Sequence, residues 1–271
     1  MWFFKRIGLF VLTNIAVIFL FSIIIYLIKV IFGIDIIAMS WTSYTGLLIY
    51  AAIFGFTGSF FSLFISKWSA KKAYKIQLIS PEKLGTISRK EEIVYNVVLD
   101  IANKHGIKTP EIWIYQSQSP NAFATGASKN SSLVAVSTWL LESMGEKEIE
   151  WVVAHEMAHV LNGDMVTMAL LQWIMNTFVI FFARIIAEIV NSRTDGKLWG
   201  LGYMAVYIWL QVVLWMMASI IVMWFSRHRE YRADELIRNY WYTQVYLFET
   251  KKDLPSFLLI SHALQKNILQ T

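Results

Sequence analysis

Long runs of apolar residues alternate with polar stretches along this chain and predict four membrane-spanning helices. None of the runs contains a charged residue, and they cover Ile7–Ile28, Ile36–Ser66, Met165–Ala183 and Leu198–Phe225. Each reaches roughly the 17–25 residues that a helix needs to cross the hydrocarbon core of a bilayer. The first run follows Lys5 and Arg6 and lacks a small-residue cleavage site, which favours a retained anchor over a signal peptide.

Residues 67–164 are the only long stretch of mixed composition, and they predict a small α+β domain. Ser88 to Glu91 has the form of a capping box and opens a helix that ends near Gly106. Three strands are predicted at 112–115, 121–125 and 132–137, with residues 126–130 as the turn between the last two. The chain therefore divides into a first membrane hairpin at 1–66, the mixed domain at 67–164, a second hairpin at 165–226 and a terminal segment at 227–271.

The composition supports the membrane interpretation. Of the 271 residues, 56% are hydrophobic and 16% are charged, and the mean hydropathy is +0.50, which is too apolar for an ordinary soluble domain. The chain has no cysteine, so that disulfides and thiolate metal sites are excluded and a metal must use His, Asp or Glu. The net charge of +5 does not indicate nucleic acid, because Lys and Arg lie beside the apolar runs rather than in one basic stripe.

The placement of these basic residues predicts the orientation in the membrane. Lysines follow the second run at Lys67, Lys71, Lys72 and Lys75, and arginines follow the fourth at Arg227, Arg229 and Arg232. The charges in the two intervening loops nearly balance. The positive-inside rule therefore places both termini and the mixed domain in the cytoplasm.

The chemistry centres on the sequence His155-Glu156-Met157-Ala158-His159, inside an apolar helical pattern. On a helix, residues four apart share one face, so His155 and His159 can present two imidazole nitrogens to one point. Two neutral imidazoles at this spacing suit a zinc ion, and Glu156 beside them can take a proton from the attacking water. A catalytic zinc needs a third protein ligand.

Topology limits the choice of that third ligand. Two spans follow His159, so the chain after Phe225 returns to the side of the histidine pair. Glu230 is our choice, although spacing alone equally favours a surface carboxylate paired with Arg227 or Arg229, and His228 is a rival. Asp234, four residues later, can support a zinc-bound histidine through its far nitrogen. Asp164 either does the same or caps the third span, and we favour the cap.

Several stretches together resemble the HtpX family of bacterial membrane-bound zinc metalloproteases, which is related to the eukaryotic protease that processes prenylated proteins. They are Pro120–Gly126, Leu133–Thr138, His155–Thr167, Asn176–Phe181 and Ser226–Asp234. The resemblance implies a zincin-like domain, one Zn²⁺ per chain held by His155, His159 and Glu230, Glu156 as general base, and Asp234 as a supporting residue. It also implies a bacterial inner-membrane enzyme with a cytoplasmic active site.

The same resemblance implies substrates and a place to bind them. The substrates are misfolded or damaged membrane proteins and unfolded polypeptides. Asn121, Ala122, Phe123 and Ala124 belong to the family's signature, which favours a strand at a sheet edge that pairs with an extended substrate. After Asp234 the sequence departs from the family: Glu235–Thr243 is bulky and aromatic where the family has a helix rich in Ala and Gly, which predicts crowding against the motif helix.

One alternative from another class stays open on sequence grounds: a non-catalytic membrane zinc protein or scaffold with a structural or inactive site. Glu156 separates the two readings, because hydrolysis requires a carboxylate beside the metal and a structural site does not. The expected partners are polypeptide substrates and the lipid bilayer, without nucleic acid. The sequence carries no signal for an oligomeric state.

Overall fold

The computed structural model describes the backbone of residues 2–73, 76–79, 87–194 and 200–247, and the side chains of 15–72, 78–79, 87–194 and 200–238. Lys75, the beginning of the fourth apolar run at Leu198 and the end of the terminal segment lie outside the described residues. The described elements, in chain order, are helices α1 (Trp2–Phe32), α2 (Ile36–Thr42) and α3 (Tyr44–Ala73), strand β1 (Ile76–Ile79), helix α4 (Arg89–Lys104), strands β2 (Glu111–Tyr115), β3 (Ala122–Ser128) and β4 (Ser131–Ser137), and helices α5 (Thr138–Ser143), α6 (Glu146–Asn162), α7 (Asp164–Arg193) and α8 (Leu201–Leu247).

Within the described residues, four helices are long and apolar enough to cross a membrane, which confirms the four spans. They lie in α1, α3, α7 and α8. The second apolar run differs from the prediction, because it forms two helices separated at Ser43. That residue has an extended backbone, and its hydroxyl accepts the Gly46 N–H at 3.0 Å, so it caps the start of α3.

The last helix extends well beyond the apolar run that predicts it. α8 continues without a break past Phe225 and Ser226 and carries Glu230 and Asp234 in this continuation. The fourth span and the segment with the candidate ligand are thus one rigid element, and the two carboxylates lie on the same helical face.

The described residues of the mixed domain form a four-stranded sheet in the order β1-β2-β4-β3, with β2 and β4 parallel and the other pairs antiparallel. The three predicted strands are present, and β1 is an addition. The predicted turn at 126–130 is shorter, because β3 continues to Ser128 and only Lys129 and Asn130 separate it from β4. Gly126, at φ +145°, passes too close to the Ser131 backbone to leave room for a Cβ, and the strand register shifts there.

The domain core lies between this sheet and helices α4 and α6. The predicted capping box is present, since Ser88 and Glu91 exchange hydrogen bonds at the start of α4. Buried residues from α4, α6 and β4 form one cluster, and Ala233 and Ile237 of α8 join it at 0% and 1% exposure. The end of α8 therefore packs directly on the motif helix. The bulky residues at 236 and 237 are accommodated there, while the side chains from 239 onward lie outside the described part of the chain.

Candidate metal centre

Helix α6 carries the His-Glu-x-x-His motif, and one side of this helix is buried in the domain core. Val153, Met157 and Val160 face the domain core at 0% exposure, so the other side of the helix presents His155 and His159. The helix ends at Gly163, which adopts a left-handed conformation with φ 68°. The sharp turn sends the chain directly into α7 and brings Asp164 back towards His159.

Three side-chain atoms from α6 and α8 meet in a small triangle. His155 Nε2 lies 3.1 Å from Glu230 Oε2, His159 Nε2 lies 3.2 Å from the same oxygen, and the two Nε2 atoms are 3.2 Å apart. A tetrahedral ion about 2.0–2.1 Å from each ligand would separate the ligand atoms by about 3.3–3.4 Å. The triangle is therefore close to the size that a tetrahedral metal requires, and the three residues form a group able to hold a metal ion.

Two further carboxylates stand behind the histidines. Asp164 Oδ2 lies 2.7 Å from His159 Nδ1, and Asp234 Oδ1 lies 3.1 Å from His155 Nδ1, at ion-pair distance but without the alignment of a hydrogen bond. Each histidine thus directs Nε2 to the shared point while a carboxylate faces its Nδ1. This is the arrangement that fixes the ring orientation and tautomer of metal-binding histidines.

The position of Asp164 corrects one sequence prediction. We expected this residue to cap the third span, but its side chain is 1% exposed and makes no capping hydrogen bond to the helix. It bonds His159 instead, because the left-handed turn at Gly163 places it beneath that ring. Arg232 Nη2 lies 3.3 Å from its other oxygen, a contact that the sequence analysis missed.

The two readings of Glu230 turn out to be compatible. Its Oε2 faces the histidines, while its Oε1 accepts a hydrogen bond from Arg229 at 2.7 Å. His228, the rival ligand, is exposed and stacks on Trp224 with ring centroids 6.2 Å apart, away from the triangle. The sequence analysis also missed Trp151, which stacks on His155 at 5.5 Å and could have been found from its position one turn earlier on α6.

The electrostatics of the centre suit a cation and a proton-accepting carboxylate. Burial lowers the pKa of His155, but the carboxylates of Asp234 and Glu230 outweigh burial and raise it to about 10. Burial raises the pKa of Glu156, and this effect exceeds the opposing influence of the two histidines and of the Ala124 amide. A carboxyl whose pKa lies above its ordinary value is better matched to proton transfer near neutral pH.

Strand β3 lies at the edge of the sheet beside this centre. The Ser137 N–H donates to the Asn121 carbonyl at 2.9 Å, so the alternation of an antiparallel pair directs the amides of Ala122 and Ala124 away from β4. The Ala124 amide faces the Glu156 carboxylate and opposes the rise of its pKa. Ala122 and Ala124 pack on the main core, whereas Phe123 lies on the other face against Tyr115, with ring centroids 5.6 Å apart.

The chain is similar to known proteins over most of its length. The profile of peptidase family M48 matches residues 88–267, so the match extends through the atypical sequence after Asp234. The Protease HtpX of Idiomarina loihiensis is 46% identical over 231 residues, which cover 85% of this chain and 77% of the relative. The Protease HtpX of a Shewanella species is 49% identical over 237 residues, with 85% and 78% covered.

A solved structure has a related fold. The crystal structure of S. mikatae Ste24p superposes with a TM-score of 0.56 at 15% identity. The match covers 89% of this chain but 55% of the Ste24p chain, so this chain spans about half of that larger protein. At this identity the likeness concerns the fold alone.

Proposed function

Because the chain belongs to peptidase family M48, we propose that His155, His159 and Glu230 bind one zinc ion and that Glu156 is the general base of peptide-bond hydrolysis. The chain is a membrane-bound metalloprotease. The observation that carries the assignment of residues is the triangle of two Nε2 atoms and one carboxylate oxygen, with sides of 3.1–3.2 Å, directly beside Glu156.

The donor set favours zinc among the common metals. Two imidazole nitrogens and one carboxylate oxygen are a known catalytic set for zinc, and three protein ligands leave a fourth position open. Calcium and magnesium prefer sites built from oxygen. The carboxylates that face both Nδ1 atoms further support a metal held through Nε2. A structural zinc site would have four protein ligands, which argues against the non-catalytic alternative.

The residues of the centre divide the work of hydrolysis. A bound zinc ion supplies Lewis acidity, which lowers the pKa of water and polarises the scissile carbonyl. Glu156 accepts the proton of the attacking water and delivers it to the leaving amine. Asp164 and Asp234 hold the two imidazole rings in place, and Arg229 fixes the free oxygen of Glu230.

Asn121 to Ala124 provide the substrate-binding edge in this proposal. The outward N–H and C=O of Ala122 and the outward C=O of Ala124 are available to pair with an extended polypeptide, as in other complexes where a peptide adds a strand to a sheet. The contact between the Ala124 amide and Glu156 supports this role, because it brings the edge to the general base. Misfolded or damaged membrane proteins and unfolded polypeptides suit such a site, since they can offer an extended backbone.

The membrane arrangement completes the proposal. We place residues 67–164 in the cytoplasm as the catalytic domain, together with both termini, in the inner membrane of a bacterium. Lys67, Lys71 and Lys72 at the end of α3, and the arginines at 227, 229 and 232 on α8, support this orientation through the positive-inside rule. The metal centre then lies where α7 and α8 leave the bilayer.

Two substitutions test the roles of base and ligand in the purified full chain. Glu156→Gln should lower cleavage of an unfolded test protein by about 10²-fold or more while the metal content stays at about one ion per chain. Glu230→Ala should lower both the cleavage and the metal content, because it removes one of three ligands. Metal content by mass spectrometry and cleavage by gel assay measure the two properties separately.

The matched control is Glu188→Gln, a carboxylate on α7 that pairs with Arg184 and lies far from the centre. It should leave both the metal content and the rate unchanged. Equal cleavage by the wild type and Glu156→Gln would exclude Glu156 as the base. An unchanged metal content in Glu230→Ala would exclude Glu230 as a ligand.

A further inference from the structure

A mostly apolar groove that contains three polar side chains runs between α7 and α8 inside the membrane region. It encloses a cavity of about 70 Å³, lined among others by Gln172, Asn176, Val179, Trp215, Ser219 and Val222. The groove holds two primary amides and a hydroxyl in helices that are otherwise strongly apolar. Polar side chains at membrane depth are costly, and they commonly line substrate pathways or pack between helices.

The polar groups of this groove do not join the two helices. The Gln172 amide donates to Asn176 Oδ1 at 2.8 Å, one turn further along α7. The Ser219 hydroxyl donates to the Met216 carbonyl at 2.6 Å, within α8. Among the described side chains neither amide makes another hydrogen bond, so the Gln172 carbonyl and the Asn176 NH₂ group remain available to a ligand. Hydrogen bonding between α7 and α8 therefore does not explain why these polar side chains are present.

The groove points to the metal centre, because the same two helices build both. Asp164 at the start of α7 bonds His159, and Glu230 on α8 belongs to the triangle. Gln172 lies eight residues after Asp164, and Val222 lies eight residues before Glu230, so each is about 12 Å deeper along its helix. An extended polypeptide covers that distance with about three or four residues.

We propose that this groove binds the membrane-embedded segment of a protein substrate, three or four residues from the bond to be cut. The inference rests on the proposed protease function and deepens it. A substrate must be extended at the cleavage site, so the end of its membrane helix unwinds and exposes backbone N–H and C=O groups to hydrocarbon. Such groups need partners at that depth, and Gln172 and Asn176 supply a carbonyl and N–H donors. The cavity is too small for a whole helix and accepts a side chain or the unwound backbone.

Two test substrates separate this role from catalysis. The first is a single-span membrane protein with an unfolded cytoplasmic tail, and the second is the same tail without the span. The double variant Gln172→Leu/Asn176→Leu of the full chain in nanodiscs should lower kcat/KM for the anchored substrate by about tenfold, the effect of one or two lost hydrogen bonds. Cleavage of the free tail should stay within about twofold of the wild type.

Gln211→Leu is the matched control, because it removes a membrane amide of α8 that bonds Tyr207 outside the groove. It should change neither rate. If the double variant loses both activities equally, or neither, the groove is not a substrate site. Failure of the wild type to cut either substrate would instead contradict the protease function, so the two failures are distinguishable.

Cross-linking gives a readout that does not depend on activity. In the Glu156→Gln background, a photo-crosslinking amino acid at position 222 faces the groove, whereas one at position 221 replaces a side chain that is 49% exposed on α8. The span of the anchored substrate should cross-link from position 222 and much less from 221. Equal cross-linking from both positions, or cross-linking chiefly to a second copy of the chain, would overturn the proposal.

Discussion

At the scale of single residues, the metal centre depends on carboxylates that are not themselves candidate metal ligands. Asp164 is the clearest case, because it is almost fully buried and bonds His159 Nδ1 at 2.7 Å. A buried carboxylate at this position stabilises the ring orientation that directs Nε2 towards Glu230. Arg232, which lies 3.3 Å from the other Asp164 oxygen, balances the buried charge from α8.

Asp164→Asn should therefore weaken metal binding even though every ligand remains. We expect an affinity loss of about 10–100-fold, the usual effect of removing a carboxylate behind a metal-binding histidine. Competition with a zinc-sensitive fluorescent chelator measures the affinity. Asp100→Asn is the control, since Asp100 pairs with Lys104 on the surface of α4. A full affinity in Asp164→Asn would show that the contact with His159 is dispensable.

Residue-level chemistry was predictable from the sequence where it followed helical spacing or topology. The four-residue interval of His155 and His159 and the return of the chain to the same side at Glu230 identify the three groups of the triangle as candidates from the sequence. The role of Asp164 was not predictable in the same way. It depends on the left-handed turn at Gly163, and a carboxylate at a helix start ordinarily indicates a cap.

At the scale of elements, α3 and α7 cross closely within the membrane region. Gly55 of α3 lies against α7 so closely that an added Cβ would meet Thr177 Oγ1 at 3.0 Å and the Trp173 carbonyl at 3.1 Å. The Trp173 indole donates to the Ala52 carbonyl at 2.9 Å across the same contact. Small residues allow membrane helices to approach in this way.

Gly55→Ala should lower the free energy of unfolding by about 1–3 kcal/mol, because the two backbones must separate to admit the methyl group. Gly58→Ala, one turn away, is the matched control. Its added Cβ would meet only Val17 Cγ1 at 3.8 Å, and Ala favours a helix over Gly by about 1 kcal/mol. Unfolding by SDS in mixed micelles measures both. A similar effect of the two substitutions would argue against a tight crossing.

The mixed domain is tied to α3 by a charge cluster at the start of β2. Glu111 lies 2.8 Å from Lys67 Nζ and 2.6 Å from Lys71 Nζ, and it accepts the Trp113 indole N–H at 3.0 Å. Burial raises the pKa of Glu111, but the two lysines and the indole outweigh it and lower the pKa from 4.5 to about 2. The folded state therefore favours the ionised carboxylate.

This shift predicts how stability depends on pH. The contribution of Glu111 is present above its unfolded pKa of 4.5 and is lost as the pH falls towards about 2. Glu111→Gln should cost about 1 kcal/mol or less near pH 7, since the side chain is partly exposed, and the difference from the wild type should shrink below pH 4.5. Denaturant unfolding at several pH values tests this. A difference that does not vary with pH would contradict it.

Helices and strands were predictable where the pattern of apolar residues was long and regular. They were less predictable where a single local contact determines the element. The four spans and the three strands of the motif region follow from apolar runs and alternation. The division of the second run at Ser43 follows from one hydroxyl–amide bond, and β1 forms because it pairs with β2. β1 has only four residues, and so short a run gives too weak a pattern to predict a strand from the sequence.

At the scale of the whole molecule, the spans and the catalytic domain form one working unit. α7 begins at the metal centre and α8 runs through it, so the distance of the centre from the bilayer is fixed by continuous helices rather than by a linker. We infer the compartment that the centre faces from the balance of lysines and arginines and from the family resemblance, and this inference carries the proposed localisation.

The absence of cysteine makes that inference directly testable. Ile34→Cys places a thiol in the short connection between α1 and α2, where the native side chain is 42% exposed. Gln118→Cys places one on the exposed loop between β2 and β3 of the catalytic domain. A membrane-impermeant maleimide added to intact spheroplasts should label the first variant, and it should label the second only after lysis. The cysteine-free wild type gives the background. The reverse pattern would place the catalytic domain outside the cytoplasm and overturn the orientation on which the substrate assignment depends.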